Sequence, residues 1–215
     1  LEYYYNNIDP LIEYVLLIGD VGGYDEDCDV NICYNMPSFT IPSYNESDLD
    51  VTDYRFSYFN NDYKHPKFFV GRWPIRSIED LKKIKSRTIQ YKKLEYVDSS
   101  YLKNALIVAG NYSDTPPWPV TPVMTSKWLM DELHQFGYAA NNIDTAFFHY
   151  YNQADQTSYI TSNWNEGVGI INYRGWGDAN GWHFPYFHRE NIDPGLQNGF
   201  RLPVVMSFVC NTGDF

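Results

Sequence analysis

Two segments of the chain bring together residue types that could do covalent chemistry. The first is Leu202-Pro-Val-Val-Met-Ser-Phe-Val-Cys210-Asn-Thr-Gly-Asp-Phe215, an unbroken apolar run that delivers one thiol to a small polar turn. The second is Arg174-Gly-Trp176-Gly177-Asp-Ala-Asn-Gly181-Trp-His183, a glycine-rich stretch that carries an imidazole. A cysteine nucleophile needs a thiolate, an imidazole to carry protons, and backbone N–H donors for the oxyanion that develops. Glycine permits the close backbone approach that the last task requires. Residue type alone also allows a blander reading. Cys210 is then a small apolar residue at a strand end, and His183 a hydrogen-bonded loop residue among turn-forming glycines.

The elements that would hold these groups can be read from hydrophobic pattern. Apolar runs at 14–20, 67–72, 104–110, 145–149, 167–173 and 203–209 read as strands, several too continuous to be half-exposed. Between them, Ser77 with Glu79 and Asp80 caps a helical pattern that runs to about Tyr96. A second helix is expected over 121–136, closed by Gly137, with Met124, Trp128, Leu129 and Leu133 on one stripe. A third, short helix is expected over 157–165. Strands alternating with helices imply an α/β fold with a mostly parallel sheet and right-handed crossovers. In such sheets chemistry gathers at the carboxyl ends of the strands, where both candidate segments lie. Residues 21–67 form a long polar, aromatic and acidic surface excursion.

Composition narrows the function. The 215 residues suit one α/β domain, with 44% hydrophobic content arguing against disorder. A net charge of -11 disfavours nucleic acid, because phosphate binding needs a basic stripe. The cluster Lys82, Lys83, Lys85 and Arg87 lies on a helical pattern and reads as a solvated face. No stretch of 18 apolar residues offers a membrane span. Twenty tyrosines suit binding clefts and secreted proteins. Without an initiator Met, and ending five residues past Cys210, the chain reads as a piece of a longer one.

Cys28 and Cys33 lie in one polar loop, close enough to form a small disulfide in an oxidising compartment. The rival is two free thiols in a cytosolic protein; the acidic, tyrosine-rich composition favours the disulfide. Either way Cys210 stands apart. A Cys/His zinc site is disfavoured, with no second pair and His65 distant. Asp25, Asp27 and Asp29 alternate as the first ligands of a calcium loop would, yet Val30 and Met36 stand where its Gly and bidentate Glu belong. A solvated charge run fits better.

Four segments together resemble the gingipain-type cysteine peptidases. They are Tyr14-Val-Leu-Leu-Ile-Gly-Asp20, Phe68-Phe-Val-Gly-Arg72, Gly169-Ile-Ile-Asn-Tyr-Arg-Gly-Trp-Gly177, and the ending Cys210-Asn-Thr-Gly-Asp-Phe215. The resemblance spans nearly the whole chain as one peptidase domain, 1–215. It implies a caspase-like three-layer sandwich, secretion or a cell-surface location, endopeptidase activity on protein or peptide substrates, and Cys210 as nucleophile. It also implies oxyanion donation from the amides of Gly177 and Cys210. No cofactor is required for this chemistry. Structural calcium, through Asp48, Asp50 or Asp53, is implied by calcium binding among related peptidases.

One departure matters. The family's base is the histidine of a Gly-His-Gly turn, and here the turn is Gly175-Trp176-Gly177. Indole cannot accept a proton near neutral pH. Either His183 takes the role, with His188 a weaker substitute, or the protein is a non-catalytic pseudo-peptidase that binds peptides. A structural module of a larger secreted assembly is a third reading. Substrate preference does not carry over, since the Asp114-Thr-Pro-Pro-Trp118 region shows no counterpart of the family's specificity residue.

Overall fold

Strand β5 (Ala105–Ala109) is wholly buried along its length, as its uninterrupted apolar sequence requires. The computed structural model describes residues 1–21, 35–43, 49–111, 120–148 and 153–213. The chain forms two units, one within Leu1–Ser86 and one over Arg87–Gly213.

The second unit is built on a four-stranded parallel sheet. Beside β5 it contains β6 (Ile143–Phe147), β7 (Ile170–Arg174) and β11 (Val204–Phe208), in the order β11-β7-β5-β6. Helix α3 (Thr121–Gln135) covers one face and α4 (Gln153–Glu166) the other. Alternation along β5 divides the core between them. Ala105 and Ile107 pack with Leu129, Met130 and Leu133 of α3 and with Ile143 and Ile170. Leu106 and Val108 pack on the α4 side with Ile160, Ile171 and Tyr173. Each such buried aliphatic side chain contributes about 1.5–3 kcal/mol. This is the three-layer α/β arrangement expected.

Element limits shift where polar residues blurred the pattern. The 145–149 strand begins at Ile143, because that residue packs beneath α3. Helix α4 starts four residues before its expected beginning. On α3 the expected stripe is wrong in part: Met124 and Trp128 are each 64% exposed, and Met130 joins Leu129 and Leu133 facing the sheet. Between β7 and β11, read as a loop, lies a small antiparallel sheet of β8 (Gly177–Asp178), β9 (Gly181–Trp182) and β10 (Phe187–His188), followed by the one-turn helix α5 (Arg189–Ile192).

In the first unit, α1 (Glu2–Asn7) precedes β1 (Tyr14–Ile18), which pairs in parallel with β4 (Phe69–Trp73). The described part of the 21–67 excursion holds the hairpin β2 (Phe39–Pro42) and β3 (Leu49–Thr52). Arg72 anchors it. Its Nε and Nη2 donate to the two Asp53 carboxylate oxygens at 2.7 Å, and Nη1 donates to the Gly19 and Met36 carbonyls at 2.7 Å. The side chain is only 4% exposed, and a buried guanidinium persists only when its donors are filled in this way. Burial raises the Asp53 pKa, but the hydrogen bonds of Arg72 and Ser38 outweigh it and leave the group below its usual value. Helix α2 (Ile78–Lys93) follows, capped as expected by Ser77, whose Oγ accepts the Asp80 N–H at 3.1 Å.

Candidate active site

The strand ends bring the two candidate segments side by side. Strands β7 and β11 run in register, Arg174 opposite Phe208, so the Gly175-Trp176-Gly177 turn and the Cys210 turn leave adjacent strands. Cys210 is a free, exposed thiol in the turn after β11. Asn211 takes a left-handed φ of 52°, a conformation that asparagine tolerates. Ser207 Oγ and Thr212 Oγ1 lie 3.0 Å apart and tie the turn back to its strand.

The glycines of the neighbouring turn are required by packing. A Cβ on Gly175 would stand 2.7 Å from Gly110 Cα. A Cβ on Gly177 would collide with the Gly181 carbonyl and touch Val209, the residue before the cysteine, at 3.2 Å. The Tyr173 hydroxyl donates to the Trp176 carbonyl at 2.7 Å and holds the turn from below.

His183 reaches this turn through the β8–β9 hairpin. Gly177 pairs with Trp182 across it, which makes Trp176 and His183 the next cross-strand pair. The His183 N–H donates to the Trp176 carbonyl at 3.0 Å, and the two rings meet edge to face at 4.9 Å. Trp182, on the opposite side of β9, is buried, stacks on Tyr173 at 4.4 Å and donates its indole N–H to Ser207 Oγ at 2.9 Å. The hairpin is thus joined to both strands that carry the candidate groups.

Both imidazole nitrogens of His183 have partners. Nδ1 lies 2.9 Å from His188 Nε2, and Nε2 lies 3.2 Å from Asp178 Oδ2. His188 caps α5 in a capping box: its side chain receives the Asn191 N–H, and its own N–H donates to Asn191 Oδ1 at 2.7 Å. One proton is shared between His183 Nδ1 and His188 Nε2, with the donor set by the tautomer, and the Asp178 carboxylate favours a proton on the His183 Nε2 that faces it. Burial, then the neighbouring His183 ring, lowers the His188 pKa. The Asn180 N–H is the largest influence holding Asp178 below its usual range, with His183 adding to it. No hydrogen bond or ion pair of His183 among the described residues reaches Cys210.

Asp178 and Arg174 were not singled out from sequence. Asp178-Ala-Asn-Gly181, with Asp at the first and Gly at the last position of a four-residue turn, was the available signal for Asp178. Cys28, Cys33, Asp25, Asp27, Asp29 and Asp48 lie outside the described residues. For calcium, both Asp53 oxygens are committed to Arg72 and Ser38, so Asp53 does not fit the ligand set considered from sequence. Among the described residues no group of three His, Cys, Asp or Glu side chains stands close enough to hold a metal. Among the described helices none is long and apolar enough to cross a membrane.

The whole chain, residues 1–215, matches the family described as Peptidase family C25. It belongs to that family. This C25 chain is 27% identical to Gingipain R2 of Porphyromonas gingivalis over 159 residues, covering 72% of the chain and 20% of the relative. It is 30% identical to Lys-gingipain of the same organism over 165 residues, covering 77% and 9%. Among solved structures it resembles the Arg specific cysteine proteinase gingipain R, with a TM-score of 0.74, 23% identity, and coverage of 99% of this chain and 44% of that one. The complex of P. gingivalis RgpB pro- and mature domains matches with a TM-score of 0.70 and 23% identity, over 97% and 43%. The C25 chain therefore spans under half the length of these solved structures and a fifth or less of these curated relatives.

Proposed function

We propose that this chain is the peptidase domain of a secreted or cell-surface cysteine endopeptidase, with Cys210 as nucleophile and His183 as proton carrier. One observation carries the reading. His183 is the cross-strand neighbour of Trp176, so an imidazole stands beside the position where the resemblance calls for the base. The exposed thiol on the adjacent strand end agrees with it.

In the resting arrangement Asp178 lies 3.2 Å from His183 Nε2 and favours the tautomer with its proton there, as a carboxylate does for a catalytic imidazole. Reaction requires Nδ1 to exchange His188 for the thiol. The proton then passes from Cys210 Sγ to His183 Nδ1, and the thiolate attacks the peptide carbonyl carbon. A C–S bond forms while the carbonyl electrons move onto oxygen, which the amides of Gly177 and Cys210 stabilise. Collapse breaks the C–N bond, and His183 gives its proton to the leaving amine. Water then hydrolyses the thioester and restores the thiol. No cofactor enters these steps. The substrate is protein or peptide, and the length of the relatives supports a larger assembly around this domain. Secretion is supported by the acidic, tyrosine-rich composition and by the resemblance to gingipains, and it would go with a Cys28–Cys33 disulfide.

Iodoacetamide at neutral pH should label Cys210 stoichiometrically, and His183→Ala should slow that reaction by about 100-fold. Labelling as slow as that of a free thiol, and equal in the two proteins, would reduce the chain to a peptide-binding scaffold.

A further inference from the structure

Arg174 ends β7 immediately before the Gly175-Trp176-Gly177 turn. Its register partners are Ala109 on β5 and Phe208 on β11, so it stands at the carboxyl edge of the sheet between the two. Alternation fixes its side. Ile171 and Tyr173 belong to the α4-face core and Ile170 to the α3-face core, which turns Arg174 toward the α3 face. On β11, Val209 packs with the α4-face core, so Phe208 shares the α3 face with Arg174, and Cys210 follows two residues later. Arg174 and Phe208 are paired across about 5 Å, and Cys210 follows Phe208 by two residues, which bounds the Arg174–Cys210 Cα separation at about 12 Å. A guanidinium on that stem reaches a group held against the thiol.

Among the described residues this guanidinium has no ion pair, hydrogen bond or ring partner, and its Nε is buried without an acceptor. The contrast with Arg72 is instructive, since that buried arginine has carboxylate and carbonyl oxygens on every nitrogen. A buried donor left without an acceptor is costly, and such groups in native proteins call for an explanation. A carboxylate fits best, because two parallel N–H···O bonds match the guanidinium fork. We propose that Arg174 reads a substrate carboxylate, so that Cys210 attacks the bond following an acidic side chain. The inference rests on the nucleophile reading above. A cation here would oppose an arginine or lysine side chain at the same place.

Cys210 itself is the probe. Its alkylation by the anion iodoacetate is compared with that by neutral iodoacetamide on the intact chain in 0.15 M salt, with glutathione as reference. The iodoacetate-to-iodoacetamide rate ratio should exceed that of glutathione about tenfold. Arg174→Met should return the ratio to the glutathione value and leave the iodoacetamide rate within about twofold, and Arg174→Lys, which keeps the charge if Met disturbs folding, should retain part of the excess. A wild-type ratio equal to that of glutathione, or an excess that survives Arg174→Met, overturns the proposal. Peptides that differ only by Asp, Ala or Arg before the cleaved bond separate the two readings. Cleavage should favour Asp over Arg by about 100-fold. Cleavage without acidic preference sinks the Arg174 inference and spares the peptidase. Anion-selective alkylation without any cleavage keeps the carboxylate site and sinks the peptidase.

Discussion

Burial and the neighbouring His183 ring hold the His188 imidazole below its usual value of 6.5. The unfolded chain therefore takes up a proton at His188 before the folded one does. Stability is full above about pH 6.5 and falls as the pH drops from there toward the lowered folded value. The slope can reach about 1.4 kcal/mol per pH unit. Thermal unfolding between pH 7 and 5 should show this loss in the wild type and a flatter profile in His188→Asn, which keeps a capping side chain without a titration. Asp178 and Asp53, both lowered, lose their contribution only at more acid pH, below about 4, so the two windows are distinct. At this scale Cys210 and His183 stand out in sequence because chemistry restricts which residue types serve, while Gly177 enters through the resemblance alone. Arg174 does not stand out, since a lone cation becomes conspicuous only when every neighbour has been accounted for.

The hairpin between β7 and β11 is the element on which the proposed site depends, and the sequence disguised it. Strands of two residues carry no readable period, and their glycines resembled a loop. Asp178 and Gly181, the first and last residues of a four-residue turn around Ala179-Asn180, were the usable clue, because that register pairs Trp176 with His183. Gly177→Ala should destabilise the domain by about 1–3 kcal/mol and depress Cys210 labelling with it, since its Cβ would meet the Gly181 carbonyl. On α3 the periodic stripe was legible but rotated: a bulky Trp128 drew the reading outward, while the sheet takes Leu129, Met130 and Leu133. Urea unfolding should show Leu133→Ala costing about 2–5 kcal/mol and Trp128→Ala staying within about 0.5. The strand-helix alternation itself was legible throughout, because continuous apolar runs such as Ala105–Ala109 admit few other structures.

At the scale of the whole molecule, the chain carries a net charge of -11. An acidic peptide must approach against that field, and salt shortens its reach from about 30 Å at 0.01 M to about 8 Å at 0.15 M. The kcat/KM for an anionic peptide should therefore rise about two- to fivefold between those salt concentrations, with little change for a neutral one. The sheet order adds a different consequence. In the described sheet, β11 pairs with β7 alone, at its margin, and β5 lies at the centre with a neighbour on each side. Amide deuteration of the native chain should sweep through β11 early and reach β5 last. The strand that bears the thiol would then be the one that opens most readily to solvent, giving its turn freedom to adjust around an arriving substrate.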